Sequence, residues 1–157
     1  MTKPKKERKV MHPPVAVYFK PTGVPLFQLE QVILTVDEYE AIRLGDDEEL
    51  KHEEASLKMK ISRPTFTRLL NSAHKKIANA LVNGKAIRIE GGSYIFLNNR
   101  YFCSQCRHIW SLKQGSLLPE ACPECGSSGI VDLSLQCGYG KGHGGRGRRC
   151  RHGNKSY

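Results

Sequence analysis

No apolar run in the sequence approaches the roughly 18 residues of a membrane span. Stretches such as Val15 to Phe19 and Val32 to Leu34 are strand-sized. The basic start is not followed by the apolar segment of a secretory signal, so a cytosolic protein is expected, with no membrane partner. Internal repeats of solenoid or propeller period are also missing. So is any Ser/His/Asp or Cys/His set in a local context that would suggest catalysis. Gly140-x-Gly142-x-x-Gly145 matches a dinucleotide fingerprint by letters only, with no strand before it and no helix after it. His52-Glu53-Glu54 lacks the second histidine of a metalloprotease, having Ser56 in its place. The chain is therefore expected not to be an enzyme, and at 157 residues it is one ordinary domain or two small ones.

Acidic residues are absent from 137–157, which carry six Lys/Arg and seven Gly. Such a segment cannot form a core and is expected to be a disordered tail. Residues 1–9 hold five basic side chains and one acidic. Together the two ends account for the whole formal charge of +10 and leave 10–136 neutral. This imbalance points to an anionic partner. Residues 1–14 read as a flexible arm, with Lys3, Lys5, Lys6 and Arg8 as candidate DNA contacts through the minor groove.

The middle carries ordered elements. Val15 to Phe19 reads as a strand ended by the turn Pro21 to Pro25. Thr35 and Glu38 form a capping box for a helix from about Val36 to Leu44. A second helix is expected over about Lys51 to Met59. A third has Ser62 as N-cap, Pro64 in its first turn, an apolar stripe of Phe66, Leu69, Leu70, Ala73, Ile77, Ala80 and Leu81, and Asn83-Gly84 as its stop. Ala86 to Glu90 and Ser93 to Phe96 flank Gly91-Gly92 and read as a hairpin. The expected class is mainly α: a helix-turn-helix domain with a small β-hairpin over 15–97, then a small β zinc ribbon over 98–136.

Charge separates this arrangement from an arbitrary helical bundle. Glu30 to Glu54 contains ten acidic and two basic residues, and Leu57 to Ile89 eight basic and none acidic. The basic stretch is the third helix and its flanks, the part that would enter a major groove. Helical period turns Arg68, Asn71 and Lys75 outward, with Arg63, Thr65 and Thr67 on the first turns. Arginine suits guanine, asparagine suits adenine, and threonine can touch a thymine methyl, so these six are the candidate DNA-reading residues.

Several ordered strings in this region resemble one family: Tyr18-Phe19-Lys20-Pro21, Gly23-Val24-Pro25-Leu26, Leu34 to Leu44, Ser62-Arg63-Pro64-Thr65-Phe66 and Ala80 to Gly92. It is uncharacterised protein family 0251, also called domain of unknown function 134, a bacterial and archaeal group of predicted DNA-binding proteins. The resemblance covers about residues 3–96. It implies a helix-turn-helix similar to region 4 of sigma factors, and through it transcriptional regulation. Double-stranded DNA is then the main partner, with RNA polymerase, another protein or a second copy as further ones. Two positions depart from the pattern: Lys60 stands where glycine is usual, and Thr67 where many relatives have glycine.

Cys103-Ser104-Gln105-Cys106 and Cys122-Pro123-Glu124-Cys125-Gly126 are two C-x-x-C knuckles. In a reducing compartment this spacing marks a four-thiolate Zn(II) site, one per chain, with a rubredoxin-type iron site as the rival. Four thiolates leave no open position for water, so the metal is expected to be structural, and His108 is expected not to be a ligand. The alternative functions are RNA binding or a translation-associated role, for which a ribbon and basic ends would also serve. A third is a metal-delivery or redox-sensing scaffold using Cys137, His143, Cys150 and His152.

Overall fold

A computed structural model describes residues 6–136. Lys3, Lys5 and the tail residues Cys137, His143, Cys150 and His152 lie outside the described residues. The described chain contains strands β1 (Arg8–Val10), β2 (Tyr18–Phe19) and β3 (Gln31–Leu34), then helices α1 (Val36–Ile42), α2 (His52–Met59) and α3 (Arg63–Asn83). Strands β4 (Ala86–Ile89), β5 (Tyr94–Phe96), β6 (Asn98–Cys103), β7 (Ile109–Lys113) and β8 (Ile130–Asp132) follow. The strands make three small sheets, β1-β5, β2-β4-β3 and β7-β6-β8. The class is therefore mixed α/β, and the mainly-α expectation is overturned. The strands not expected, β1 and β3, are three and four residues long and pair with partners distant in sequence, so alternation along either is too short to register.

Local chemistry sets the helices. Thr35 and Glu38 cap α1 reciprocally, the Thr35 N–H donating to Glu38 Oε2 at 2.9 Å. Beyond Ile42 the helix widens into a π turn over Arg43–Asp47. The Ser62 side chain caps α3, Pro64 lies in its first turn, and Gly84 ends it in the left-handed region. Between α2 and α3, Lys60 takes φ 54° and ψ 45°. This lets its own N–H reach the Leu57 carbonyl at 3.1 Å and the Ile61 N–H reach Ser56 at 3.0 Å. A non-glycine residue here costs roughly 1 kcal/mol.

Two apolar clusters meet at Ile42. One holds Ala41, Leu44, Ala55, Met59, Phe66, Leu69 and Leu70, and so locks the helix-turn-helix. The other joins Val10, Leu34, Val36, Ala73, Ile89 and Tyr94, so it mounts the sheets on α1 and α3. Leu81, assigned to the buried stripe by period, is 75% exposed, while Ala80 beside it is 2% exposed and keeps the stripe's contact with the fold.

The expected hairpin at Gly91-Gly92 does not form. Strand β4 already has both edges paired, antiparallel to β2 and parallel to β3. The chain after it crosses the start of α1 instead, and the Gly91 carbonyl accepts from the Val36 N–H at 3.1 Å. At Gly92, with φ 97°, an added Cβ would lie 2.5 Å from Asp37 Oδ1. Strand β5 then pairs in parallel with β1, Arg8 opposite Tyr94.

That pairing corrects the reading of 1–14 as a flexible arm, since its end is built into the fold. Val10, Pro13 and Pro14 are fully buried. The Arg8 guanidinium pairs with Asp37, and the Met11 N–H donates to Glu40 Oε1 at 3.0 Å. On the other side, the Leu97 and Asn98 N–H groups donate to Val10 and Met11 at 2.9 Å each. Arg100 reaches His12 Nδ1 at 3.2 Å. Residues 8–13 thus form a strap held by α1 on one face and by the start of the ribbon on the other.

The buried Glu38 carboxylate on α1 makes the helical unit acid-sensitive. Burial pushes the Glu38 pKa up, but Lys76 and Ser72, each at 2.7 Å, and the Thr35 N–H together hold it below the ordinary carboxylate value. A depressed folded pKa gives stability that is present above the unfolded value and is lost as pH falls through the folded one. Urea midpoints should therefore drop on acidification through and below the ordinary carboxylate range, and by less in Glu38→Gln. An equal drop in both proteins would remove Glu38 from the account.

Candidate functional site

The outer face of α3 presents Arg68, Asn71 and Lys75 to solvent. Among the described residues none of the three has a hydrogen-bond or ion-pair partner. The other candidates on this helix are tied into the fold. Arg63 pairs with Glu53 at 2.9 Å across the α2–α3 crossing. The Thr67 hydroxyl donates to the Arg63 carbonyl at 3.1 Å and sits 2.9 Å from His52 Nδ1. The His52 ring stands edge-on to Phe66, 5.3 Å between centroids. Thr65 lies 2.8 Å from the Ser62 hydroxyl, within the cap. Lys6 is exposed, whereas Arg8 is committed to Asp37.

Most other basic residues of the helical unit are neutralised. Lys58 pairs with Glu48 at 3.3 Å, Lys76 with Glu38 at 2.7 Å, Lys85 with Glu30 at 2.8 Å and Arg88 with Glu90 at 2.6 Å. Arg43 is held by Glu40 and Glu48, and these carboxylates raise its already high pKa. The acidic first half of this unit, legible as a block of charge in the sequence, thus cancels much of the basic second half. Sequence reasoning saw the segregation and missed the cancellation.

The second candidate site lies in the ribbon, where two matching turns face each other. In the first, the Arg107 N–H donates to the Cys103 carbonyl and the Cys103 N–H to the His108 carbonyl. In the second, Gly126 donates to Cys122 and Cys122 to Ser127, all four bonds being 2.9 Å. The residue after each knuckle is left-handed, at φ 64° for Arg107 and 71° for Gly126. The Sγ atoms of Cys103, Cys106, Cys122 and Cys125 all lie within 4.8 Å of one another, with Cys103–Cys125 and Cys106–Cys122 each at 3.6 Å. A tetrahedral ion with Zn–S of about 2.3 Å needs sulfur pairs about 3.8 Å apart, so the donor set fits. The Cys106 N–H, followed by that of Gln105, lowers the Cys103 thiol to about 6, while Cys106, against the His108 N–H, is pushed up to about 12 by burial and its hydrogen bonds to the other thiols. His108 takes no part in the cluster and stacks on Trp110, 5.7 Å between centroids and 13° from parallel.

The family model described as "Protein of unknown function DUF134" matches residues 1–97. The chain belongs to this family. Among its relatives, a UPF0251 protein of Moorella thermoacetica is 49% identical over 153 residues, 98% of this chain and 95% of that one. A UPF0251 protein of Desulforudis audaxviator is 43% identical over 148 residues, 94% of this chain and 97% of its own. The UPF0251 protein TTE1845 of Caldanaerobacter subterraneus is 61% identical over 94 residues, 60% of this chain and 80% of its own. The DUF134 match stops at Leu97, immediately before β6 opens the ribbon. The Moorella alignment, by its length, runs across both parts. No solved structure matches the chain. Among the described residues no helix is long and apolar enough to cross a membrane.

Proposed function

We propose that this DUF134 protein is a sequence-specific DNA-binding regulator of transcription, with a structural Zn(II) held by Cys103, Cys106, Cys122 and Cys125. The observation that carries the reading is the unpartnered row Arg68, Asn71 and Lys75 on α3, on a surface whose other cations are mostly paired with carboxylates. A helix-turn-helix places its second helix in the major groove, and these side chains have the donors and acceptors for base edges or the neighbouring phosphates. Four thiolates saturate zinc, so its part is to fold the ribbon and not to activate water. The protein acts in the cytoplasm, with RNA polymerase, another protein or a second copy as further partners.

Single-stranded RNA is the second reading. It is favoured by the half-buried, mutually stacked rings of His108 and Trp110, the kind of surface on which unpaired bases stack. Competition among duplex DNA fragments and single-stranded RNA at several salt concentrations separates the two. Arg68→Ala and Asn71→Ala should each cost roughly 1 to 3 kcal/mol on the best duplex site and relax its sequence preference. Unchanged affinity and preference in both variants would overturn the groove assignment.

A further inference from the structure

On α3 the Thr67 hydroxyl has both of its bonding roles used. It carries one proton, and at 3.1 Å from the Arg63 carbonyl, which can only accept, that proton is donated there. The contact with His52, at 2.9 Å, must then run the other way, with Nδ1–H as donor and Thr67 Oγ1 as acceptor. His52, the first residue of α2, is itself held, because its ring stands edge-on to the buried Phe66 at 5.3 Å between centroids. A β-branched side chain has few staggered settings, and two bonds of fixed polarity on Oγ1 hold it in one of them. What remains without a partner is the Cγ2 methyl.

Thr67 is only half-buried, and it precedes Asn71 by four residues, so the two are neighbours on the surface of the helix. Arg63 begins the same column, but its guanidinium is turned to Glu53. The methyl of Thr67 thus borders the row of Arg68, Asn71 and Lys75 as an apolar point at the edge of a polar face. In the major groove the thymine 5-methyl is the apolar group that tells one base pair from the others. We infer that Thr67 reads a thymine through its Cγ2 methyl, beside the base that Asn71 reads, and that His52 is the positioning residue that holds this methyl in place. The inference rests on the DNA-binding reading and adds to it a base specified without a hydrogen bond. A threonine with a free hydroxyl can serve several base edges, whereas one spent on Arg63 and His52 discriminates by its methyl alone. Both helices of the helix-turn-helix then share the reading, α3 supplying the contact and α2 its orientation.

The full, metal-loaded chain is titrated with its best duplex fragment and with copies in which each thymine in turn is replaced by uracil, which removes the 5-methyl and leaves base pairing unchanged. Wild type should lose about fourfold in affinity at one position, the worth of one buried methyl. Thr67→Ser keeps the hydroxyl and should bind thymine and uracil there alike. Thr67→Val keeps the methyl and should still prefer thymine. His52→Phe keeps a ring against Phe66 without the donor and should reduce the preference, while His52→Asn, whose side-chain N–H stands in for Nδ1–H, should retain it. An unchanged thymine-to-uracil ratio in His52→Phe, whatever its melting temperature, would overturn the positioning role. Indifference of wild type to every uracil, with Arg68→Ala still impaired, would overturn the methyl contact and leave the DNA reading standing. A preference that survives in Thr67→Ser, or is lost in Thr67→Val, would overturn it equally. A wild-type chain that binds no duplex would overturn both.

Discussion

Chelating the metal should unfold the ribbon over 98–136 and leave α1, α2 and α3 folded. The ribbon buries few large side chains, chiefly Tyr101 and Leu133 beside Cys103 and Cys122. About 40 residues with so small a core do not fold unaided, whereas a structural Zn(II) supplies roughly 10 to 16 kcal/mol. The helical unit has the two clusters around Ile42 and does not draw on the thiolates. The strap gives the experiment its resolution. Hydrogen exchange should show loss of protection across β6, β7 and β8, including the Asn98 amide bonded to Met11. The Met11 amide, held by Glu40, should keep its protection. Cys103→Ser or Cys122→Ser should reproduce the chelated pattern. Collapse of the helices with the ribbon in one transition would refute their autonomy. Metal analysis finding iron, or two ions per chain with Cys137 and Cys150 engaged, would replace the structural-zinc reading with a redox one.

Arg8→Ala should be among the most destabilising single changes outside the cysteines, by about 3 to 5 kcal/mol. The Asp37 side chain is 3% exposed, its Oδ1 has no hydrogen-bond partner, and Arg8 neutralises Oδ2. Removing the guanidinium strands a carboxylate against Gly92, too far inside to recruit water cheaply. Urea denaturation of Arg8→Ala, Asp37→Ala and the double variant checks this. The double variant should lose clearly less than the two singles combined, because removing the acid removes the stranded charge. Strict additivity would show that the pair does not couple. For the same reason, deleting residues 1–9 should lower the melting temperature. A free arm would be lost without cost to the fold.

What could be read from the sequence was what depends on neighbours in the chain. Thr35 with Glu38, Ser62 with Pro64, and Asn83-Gly84 mark helix ends because capping and turn chemistry act over three or four residues. The cysteine spacing likewise announces a cluster of four thiols. Gly91-Gly92 misled because a two-glycine turn is shared by hairpins and by chain crossings, and what excluded the hairpin was β3, some fifty residues away, occupying the β4 edge. Arg8 looked like one more cation of a basic arm. Nothing near it says that Asp37 sits buried and in want of a charge. The α3 face was correctly turned outward by period, yet which of its cations are free depended on Glu53, Glu48 and Glu38, acids supplied by other elements.

The parallel pairing of Arg8 with Tyr94 sets an order of events during synthesis. Strand β1 is among the first segments made, but its partner β5 is translated only after all three helices. At roughly 5 to 20 residues per second, that is a wait on the order of several seconds. Helix contacts are local and close far faster, so the helix-turn-helix can assemble while β1 still lacks its edge. Through that interval Val10 is out of the core and the Asp37 carboxylate is uncompensated. The nascent chain therefore passes through a stage with its helices packed and its first strand loose. The β1–β5 pairing is thus among the last features of the helical unit to form.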